Sequence, residues 1–419
     1  MNIVVSPVKL IEGSIYAPIS KSEAHRLLIC ASLSDDKTTI FGSFLNKDIE
    51  ATIDCLIKLG ASIQKKEDCV IVGPIRKTNE KLISLNAGES GSTLRFIIPI
   101  AAMLNKNIQI DGKIGLKNRP IEEIINCLKD VGMSFDNKKL PLTMQGNIKK
   151  YSFKIDSSKS SQYLSGLLLS GGIVKEDVEI IVTSKIVSED YVNITIDCMK
   201  KFGVNVVKDN NKFIVKGTYK TPKKIFCPGD YSGATYILIL GAFGNVNVKN
   251  LDLLSKQGDK RILDILKNVG ANVEIYKDEI NVKKGTLKSF IFDADNNIDM
   301  VPALASLASL CEGETVIKNT DRLKIKESNR QEEIIKMLKL FRVKCDLING
   351  DIYISKSEII SPEVINLPND HRIAMAAIIL ATFANKPTKL INVECIDKSY
   401  PKFLEDYKTI GGKIDVLTI

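Results

Sequence analysis

One pattern of apolar and polar positions recurs along the chain: an amphipathic helix, a short break usually at glycine, then a strand of β-branched residues. It appears as IDCLIKLGASI at 53–63, IINCLKDVGMSF at 124–135, TIDCMKKFGVNVV at 195–207 and ILDILKNVGANVEI at 262–275. A fifth copy, IIKMLKLFRVKCDL at 334–347, carries Arg342 where the others have glycine, and a sixth is FLEDYKTIGGKIDVL at 403–417. A helix that turns straight into a strand ends best on a residue tolerant of the left-handed conformation, which accounts for the glycines. Alternating strands follow most breaks: VIVGP (70–74), FIVKG (213–217), EINVKKG (279–285) and DIYIS (351–355). Six units of helices plus several strands are too large to stack as a simple solenoid. Two groups of three, each around its own core, suit the usual size of a domain. The expectation is an α/β (α+β) chain of two domains joined by short crossings, since no low-complexity linker interrupts it.

Several predicted helices begin with cations, where the helix dipole disfavours them. In LKIKESNR (323–330), Ser328-Asn329-Arg330-Gln331 has the form of a capping box, with Ile334, Ile335 and Leu338 following at helical spacing. This predicts a helix from about Ser328, with Lys326 and Glu327 on the loop entering it and Arg330 in its first turn. A solvated charged face is the ordinary reading of such a run. The alternative is that Arg330 faces a bound anion, or a carboxylate from elsewhere in the fold. PISKSEAHRLLICASL (18–33) places Lys21 and Ser22 at a helix start with Arg26 one turn in. NDHRIAMAA (369–377) places Arg372 in the first turn of a helix capped by Asp370. NAGESGSTLRF (86–96) is a small-residue loop running into a helix that carries Arg95, without the spacing or lysine of a P-loop. DSSKSSQYLSGLLL (156–169) sets Ser160, Ser161 and Gln162 at the start of an apolar helix, and IDKSYPKF (396–403) offers Lys398 before a proline break. One explanation covers all of these: helix N-termini converging on a ligand with more than one anionic group. Asp299, just ahead of the apolar run in NNIDMVPALASLA (296–308), and Glu327 are then candidate proton carriers among cations.

Composition narrows the partners. A net charge of +9 suits anions. The basic residues are spread along the chain, with no Trp and few Tyr among them, so a stacking platform for nucleic acid is not expected. The nine Cys stand singly without a C-x-x-C, as reduced thiols of a cytoplasmic protein do, and two His are too few for a His-rich metal site. The longest apolar run, IAMAAIILATFA (373–384), is too short to span a bilayer and reads as a buried helix. No membrane association is expected.

The stretches KSEAHR, ESGSTLR, NRPI, SSQYL, VSEDY, LKIKESNR, NDHR and DKSYP, in this order over essentially the whole chain, resemble the enolpyruvyl transferase family, and within it the branch that takes shikimate 3-phosphate. The resemblance implies a two-domain inside-out α/β barrel with six βαβαββ repeats, three per domain. One domain would comprise residues 20–225 on the shikimate 3-phosphate side. The other would join 1–19 to 226–419 on the phosphoenolpyruvate side. It implies transfer of an enolpyruvyl group to the 5-hydroxyl of shikimate 3-phosphate by addition and elimination, with no metal and no organic cofactor, in a cytoplasmic monomer. By motif, shikimate 3-phosphate would be held by Lys21, Ser22, Arg26, Ser160, Ser161, Gln162, Ser188, Tyr191, Asp299, Arg322 and Lys326. Phosphoenolpyruvate would be held by Lys21, Gly91, Arg119, Gln162, Arg330, Arg372 and Lys398. Asp299 resembles the base for the 5-hydroxyl and Glu327 the proton carrier at C3, with Lys21 also catalytic.

The chain departs from the family pattern at Glu89-Ser90-Gly91-Ser92, where an acid stands in an anion-binding loop, at Glu189-Asp190 and at Phe96. The related branch that uses UDP-N-acetylglucosamine should show Lys-Asn near the start and a reactive Cys on a loop. Here the pair is Lys21-Ser22, and DGKIGLKNRP (111–120) holds no Cys. A non-catalytic polyanion binder would not need Asp299 and Glu327 amid the cations.

Overall fold

The computed structural model describes residues 1–44, 46–76, 78–277 and 279–417. The chain divides into two compact units, one formed by Ile19–Pro228 and the other by Met1–Pro18 together with Gly229–Ile419. These limits differ slightly from the sequence boundaries at 19/20 and 225/226. Lys224–Phe226 pairs in parallel with Thr38–Phe41, so the strand just past residue 223 belongs to the first unit and carries its limit on to Pro228.

Six four-stranded sheets organise the described residues, three in each unit. All share one pattern: a parallel outer pair, then two antiparallel neighbours. In one of them Ile83–Asn86 runs parallel to Ile108–Asp111, which pairs antiparallel with Leu142–Gly146, which pairs antiparallel with Met133–Phe135. Two of the three sheets of the discontinuous unit recruit strands from the chain's start. Asn2–Ser6 lies between Thr388–Ile391 and Lys413–Leu417, and Glu12–Tyr16 pairs with Asn245–Lys249.

Two kinds of helix accompany the sheets. Lys21–Ser32, Gly91–Met103 and Gln162–Gly171 in one unit are buried almost throughout, as are Tyr231–Gly241, Val301–Ala308 and His371–Thr382 in the other. Their apolar residues on all faces suit helices enclosed within a core. The helices of the sequence repeat are amphipathic and half-buried: Lys47–Leu59, Glu122–Lys129, Asp190–Lys201, Ile262–Val269, Arg330–Leu340 and Phe403–Thr409. The repeat's glycine breaks all have positive φ, from 81° at Gly203 to 113° at Gly60 and Gly132, and Arg342 takes the same hand at φ 62°. The fifth unit therefore keeps the left-handed turn without the residue that makes it easy.

Candidate active site

In the Ile19–Pro228 unit, Ser20 caps the Lys21–Ser32 helix by accepting from the Glu23 N–H. Lys21 is the first residue of that helix, and its Nζ lies 3.1 Å from Asp48 Oδ2 at the start of the neighbouring Lys47–Leu59 helix. A carboxylate thus offsets the unfavourable position of the cation. Arg26 is buried one turn on. It donates from Nε to Thr195 Oγ1 (2.7 Å), from Nη1 to the Ser22 carbonyl (2.6 Å) and from Nη2 to the Tyr191 carbonyl (3.0 Å), and it lies over the Phe96 ring. Two of its five N–H groups therefore brace Ser22 and Tyr191, two residues expected near the same ligand, and a third holds Thr195. Ser188, also buried, has φ 50° and accepts from the Tyr191 N–H through its carbonyl (3.1 Å).

Gly91 opens the Gly91–Met103 helix behind the cap Ser90. A Cβ at this position would lie 2.7 Å from Arg119 Nη1, 2.9 Å from Arg119 Cζ and 3.0 Å from Arg95 Nη1. The absence of a side chain is what lets two guanidinium groups approach the helix start. Arg95 Nη1 donates to Gln162 Oε1 (2.6 Å), Arg95 Nη2 to the Pro120 carbonyl (2.9 Å), and Gln162 Nε2 to Ser92 Oγ (2.9 Å). Both ends of the Gln162 amide are thereby fixed. Pro99 lies inside the helix and has no N–H for the Arg95 carbonyl. Gly166 packs against that carbonyl so closely that a Cβ there would sit 2.4 Å from the oxygen. This close crossing sets Gln162, one turn ahead of Gly166, at the distance Arg95 requires. Ser160 Oγ accepts from the Gln162 N–H (3.3 Å), and Ser161 precedes the helix, buried and with no side-chain cap bond.

The discontinuous unit gathers Asp299, Lys326, Glu327 and Arg372 around Arg330. Its guanidinium is 1% exposed and donates from Nε to Asp370 Oδ2 (2.7 Å), from Nη1 to Asp299 Oδ1 (2.7 Å), and from Nη2 to Glu327 Oε2 (2.6 Å) and Asp370 Oδ1 (3.2 Å). Lys326 Nζ lies 3.2 Å from Asp299 Oδ1, and Arg372 donates from Nη1 to the Asp299 carbonyl (2.8 Å). Lys326, Arg330 and Arg372 thus alternate with Asp299, Glu327 and Asp370, and the charges balance. Burial alone would raise the Asp299 carboxyl. Lys326, Arg372 and Arg330 outweigh that and hold it well below the ordinary carboxylate range, against the opposing charge of Glu327. Burial drives the Lys326 ammonium down to about 8; Asp299 and Glu327 oppose this, Arg330 and Arg322 add to it. Arg330, penalised by burial, is more than compensated by Asp370, Glu327 and Asp299, and its protonation is strengthened. Arg322 donates to the Asp295 carbonyl (2.8 Å). Lys398 is buried at the end of the short Val393–Lys398 turn.

Three pairings are absent from the sequence, those made by Asp370, Asp48 and Arg95, and one expectation is corrected. Asp370 was read only as a cap, which it is, accepting from the Arg372 N–H; it is also the bidentate partner of Arg330. Asp48 gave no signal. Arg95 did, as the one charge in GSTLRFIIPIAAM, a sign of a buried cation with a purpose. The helix expected from Ser328 begins at Arg330, with Asn329 as cap accepting from the Glu332 N–H. The Ser328 hydroxyl donates to the charged Asp370 Oδ2 (3.0 Å), which turns its side chain toward that carboxylate.

A family model for EPSP synthase (3-phosphoshikimate 1-carboxyvinyltransferase) matches residues 5–407. The 3-phosphoshikimate 1-carboxyvinyltransferase of Clostridium perfringens is 37% identical over 98% of this chain and 98% of its own length. That of Clostridium novyi is 36% identical over 99% and 98%, and that of Clostridioides difficile 33% identical over 98% of each. An EPSP synthase structure from Acinetobacter baumannii covers the whole of both chains with a TM-score of 0.83 at 23% identity, which establishes the shared mixed α/β fold. Sequence match across the full length and agreement of fold place the chain in one family: it belongs to the EPSP synthases, the 3-phosphoshikimate 1-carboxyvinyltransferases.

Proposed function

We propose that the chain transfers the 1-carboxyvinyl group of phosphoenolpyruvate to the 5-hydroxyl of shikimate 3-phosphate and releases phosphate, on the route to chorismate and the aromatic amino acids. The observation that carries the reading, within this family, is the alternation of three carboxylates with three cations around the buried Arg330 guanidinium. Such a cluster is balanced without ligand and has anion-binding groups to offer when a ligand brings its own charge.

The shikimate phosphate is taken by Lys326, Ser160, Ser161 and Ser188, with Lys21, Ser22, Arg26, Gln162, Tyr191 and Arg322 placing the ring. The carboxylate and phosphate of phosphoenolpyruvate are taken by Lys21, Arg119, Arg330, Arg372 and Lys398 beside Gly91. As Lys326, Arg330 and Arg372 turn toward ligand anions, Asp299 loses the partners that suppress its basicity, and its proton affinity rises toward what a base requires. The 5-hydroxyl oxygen then bonds to C2 of the enol while its proton passes to Asp299, and Glu327 delivers a proton to C3. The tetrahedral adduct collapses as the bond from C2 to phosphate breaks, the departing phosphate takes up the proton held by Asp299, and C3 returns its proton to Glu327, which restores the double bond. No step calls for a metal or an organic cofactor. The fold reading that accompanies this is a two-domain inside-out α/β barrel of six βαβαββ repeats. It is supported by six sheets of one pattern and by the buried helices in each unit. Residues 20–225 would form the shikimate 3-phosphate side, and 1–19 with 226–419 the phosphoenolpyruvate side. The enzyme would work as a cytoplasmic monomer.

Phosphate release by the purified chain tests the reading. Release from phosphoenolpyruvate should require shikimate 3-phosphate and should not occur with UDP-N-acetylglucosamine in its place. No release with either acceptor, or release with the nucleotide sugar alone, would overturn it.

A further inference from the structure

His25 lies buried on the Lys21–Ser32 helix, and the proposed reaction uses no histidine. Its Nδ1 is 2.7 Å from Thr52 Oγ1 on the Lys47–Leu59 helix. Thr52 Oγ1 is 2.7 Å from Thr93 Oγ1 on the Gly91–Met103 helix, and Thr93 Oγ1 is 2.8 Å from Ser90 Oγ, the cap of that helix. Four buried side chains on three helices thus form one line of hydrogen bonds. It ends at the residue beside Gly91.

The line can have only one of two polarities, because each hydroxyl has a single hydrogen. If the hydroxyls donate toward His25, Thr52 donates to Nδ1 and the ring must carry its hydrogen on Nε2. That nitrogen is buried and has no partner among the described residues. An orphaned buried N–H is among the rarest features of folded proteins, more so than an acceptor left without a donor. If instead Nδ1–H donates to Thr52, then Thr52 donates to Thr93 and Thr93 to Ser90; the buried Nε2 is only an idle acceptor, and the hydrogen left outside the line is that of the Ser90 hydroxyl, which can rotate to seek an acceptor as a ring N–H cannot. In this polarity Ser90 Oγ accepts twice, from the Thr93 hydroxyl and from the Thr93 N–H at 3.1 Å. The Asp48 carbonyl, 3.4 Å from Thr93 Oγ1, is a poorer acceptor than Ser90. Burial, with Lys21 and Arg26 nearby and Asp48 opposing them, drives the His25 ring down to about 3, so it is neutral and tautomer is its only variable.

We propose that His25 is a positioning residue. As the Nδ1–H tautomer it polarises Thr52 and Thr93 toward Ser90, and so fixes the loop that sets Gly91 against Arg119. The consequence for catalysis rests on the assignment of that loop to phosphoenolpyruvate. The chain has only two histidines, His25 and His371, so ¹⁵N-histidine NMR resolves the tautomer directly, with His25→Asn identifying the line. The expected result is an Nδ1–H tautomer in the wild-type chain. Thr52→Val keeps the side-chain shape and breaks the line. It should raise KM for phosphoenolpyruvate by roughly 3–10-fold, the equivalent of one hydrogen bond, with kcat nearly unchanged. His25→Ala should do the same, and His25→Asn, which restores an N–H near the Nδ1 position, should recover most of the loss. An Nε2–H tautomer in the wild type, or an unchanged KM in both Thr52→Val and His25→Ala, would overturn the proposal. An Nδ1–H line in a chain that transfers no carboxyvinyl group would support the hydrogen-bond line and place the fault in the functional reading.

Discussion

Lys326 provides a test that needs no turnover. Its ammonium lies 3.2 Å from Asp299, faces the charges of Arg330, Arg322 and Glu327, and is driven by burial to a pKa of about 8. A phosphate seated on it adds two negative charges and restores the protonated form. The second ionisation of a phosphate monoester lies near 6, so above about pH 7 the ligand is already a dianion and adds no proton change of its own. Proton uptake on binding shikimate 3-phosphate therefore equals the fraction of Lys326 that is neutral beforehand, about 0.1 at pH 7, 0.5 at pH 8 and 0.9 at pH 9. Titration calorimetry in two buffers of different ionisation enthalpy reads this uptake directly. Lys326→Met should bind more weakly and show no rise between pH 7 and 9. The same group shapes the unligated protein. Its folded pKa lies below the unfolded value of about 10.4, so between about pH 8 and 10.4 the unfolded chain holds more protons and this group's contribution to stability rises with pH. Uptake that stays flat from pH 7 to 9, or that survives in Lys326→Met, would refute the placement of the phosphate on Lys326.

Asp299→Asn and Glu327→Gln should each lower turnover by about 10²–10⁴-fold, the range for a positioned acid or base, with unfolding curves close to wild type; near-normal turnover removes that residue from the mechanism. Gly91→Ala puts a methyl 2.7 Å from Arg119 Nη1 and should raise KM for phosphoenolpyruvate more than it lowers kcat, as steady-state kinetics would show. An unchanged KM would mean that the Arg119 guanidinium yields without consequence. Asp370→Ala leaves the buried Arg330 without its bidentate partner and should destabilise the protein by about 3–5 kcal/mol in urea unfolding, more than either Asp299→Asn or Glu327→Gln.

What could be read from the sequence was local. The helix, left-handed break and strand occupy about a dozen consecutive residues, so their periodicity showed all six copies, including the one where Arg342 takes φ 62° in place of glycine. Helix starts are equally short-range: the one at Lys21 and the Asp370 cap ahead of His371 stand where the sequence places them. Ser328 failed because two capping boxes overlap, Ser328 to Gln331 and Asn329 to Glu332. The outcome involves Asp370, 42 residues away in sequence, whose carboxylate accepts from the Ser328 hydroxyl. The same distance hid the partners of the cations. That Lys21 meets Asp48, Arg95 meets Gln162 and Arg330 meets three carboxylates depends on which helix ends adjoin in space. The types of residue at the candidate site were legible; their pairing was not.

The pairing of Asn2–Ser6 between Thr388–Ile391 and Lys413–Leu417 fixes an order of events during synthesis. A strand made early is among the last to be paired. Ile3 and Val5, fully buried in the folded protein, have no partner strand until Thr388–Ile391 and Lys413–Leu417 have been made. The Ile19–Pro228 unit holds all its own strands and can close while the rest is still being made. At about 5–20 residues per second, the stretch after Pro228 takes on the order of 10–40 s to appear. For most of that interval Asn2–Ser6 is a strand with both edges open. Vectorial translation therefore makes every strand of the Ile19–Pro228 unit early and leaves Asn2–Ser6 waiting for Thr388–Ile391 and Lys413–Leu417, so a chain stalled before residue 388 would carry an unpaired, aggregation-prone strand.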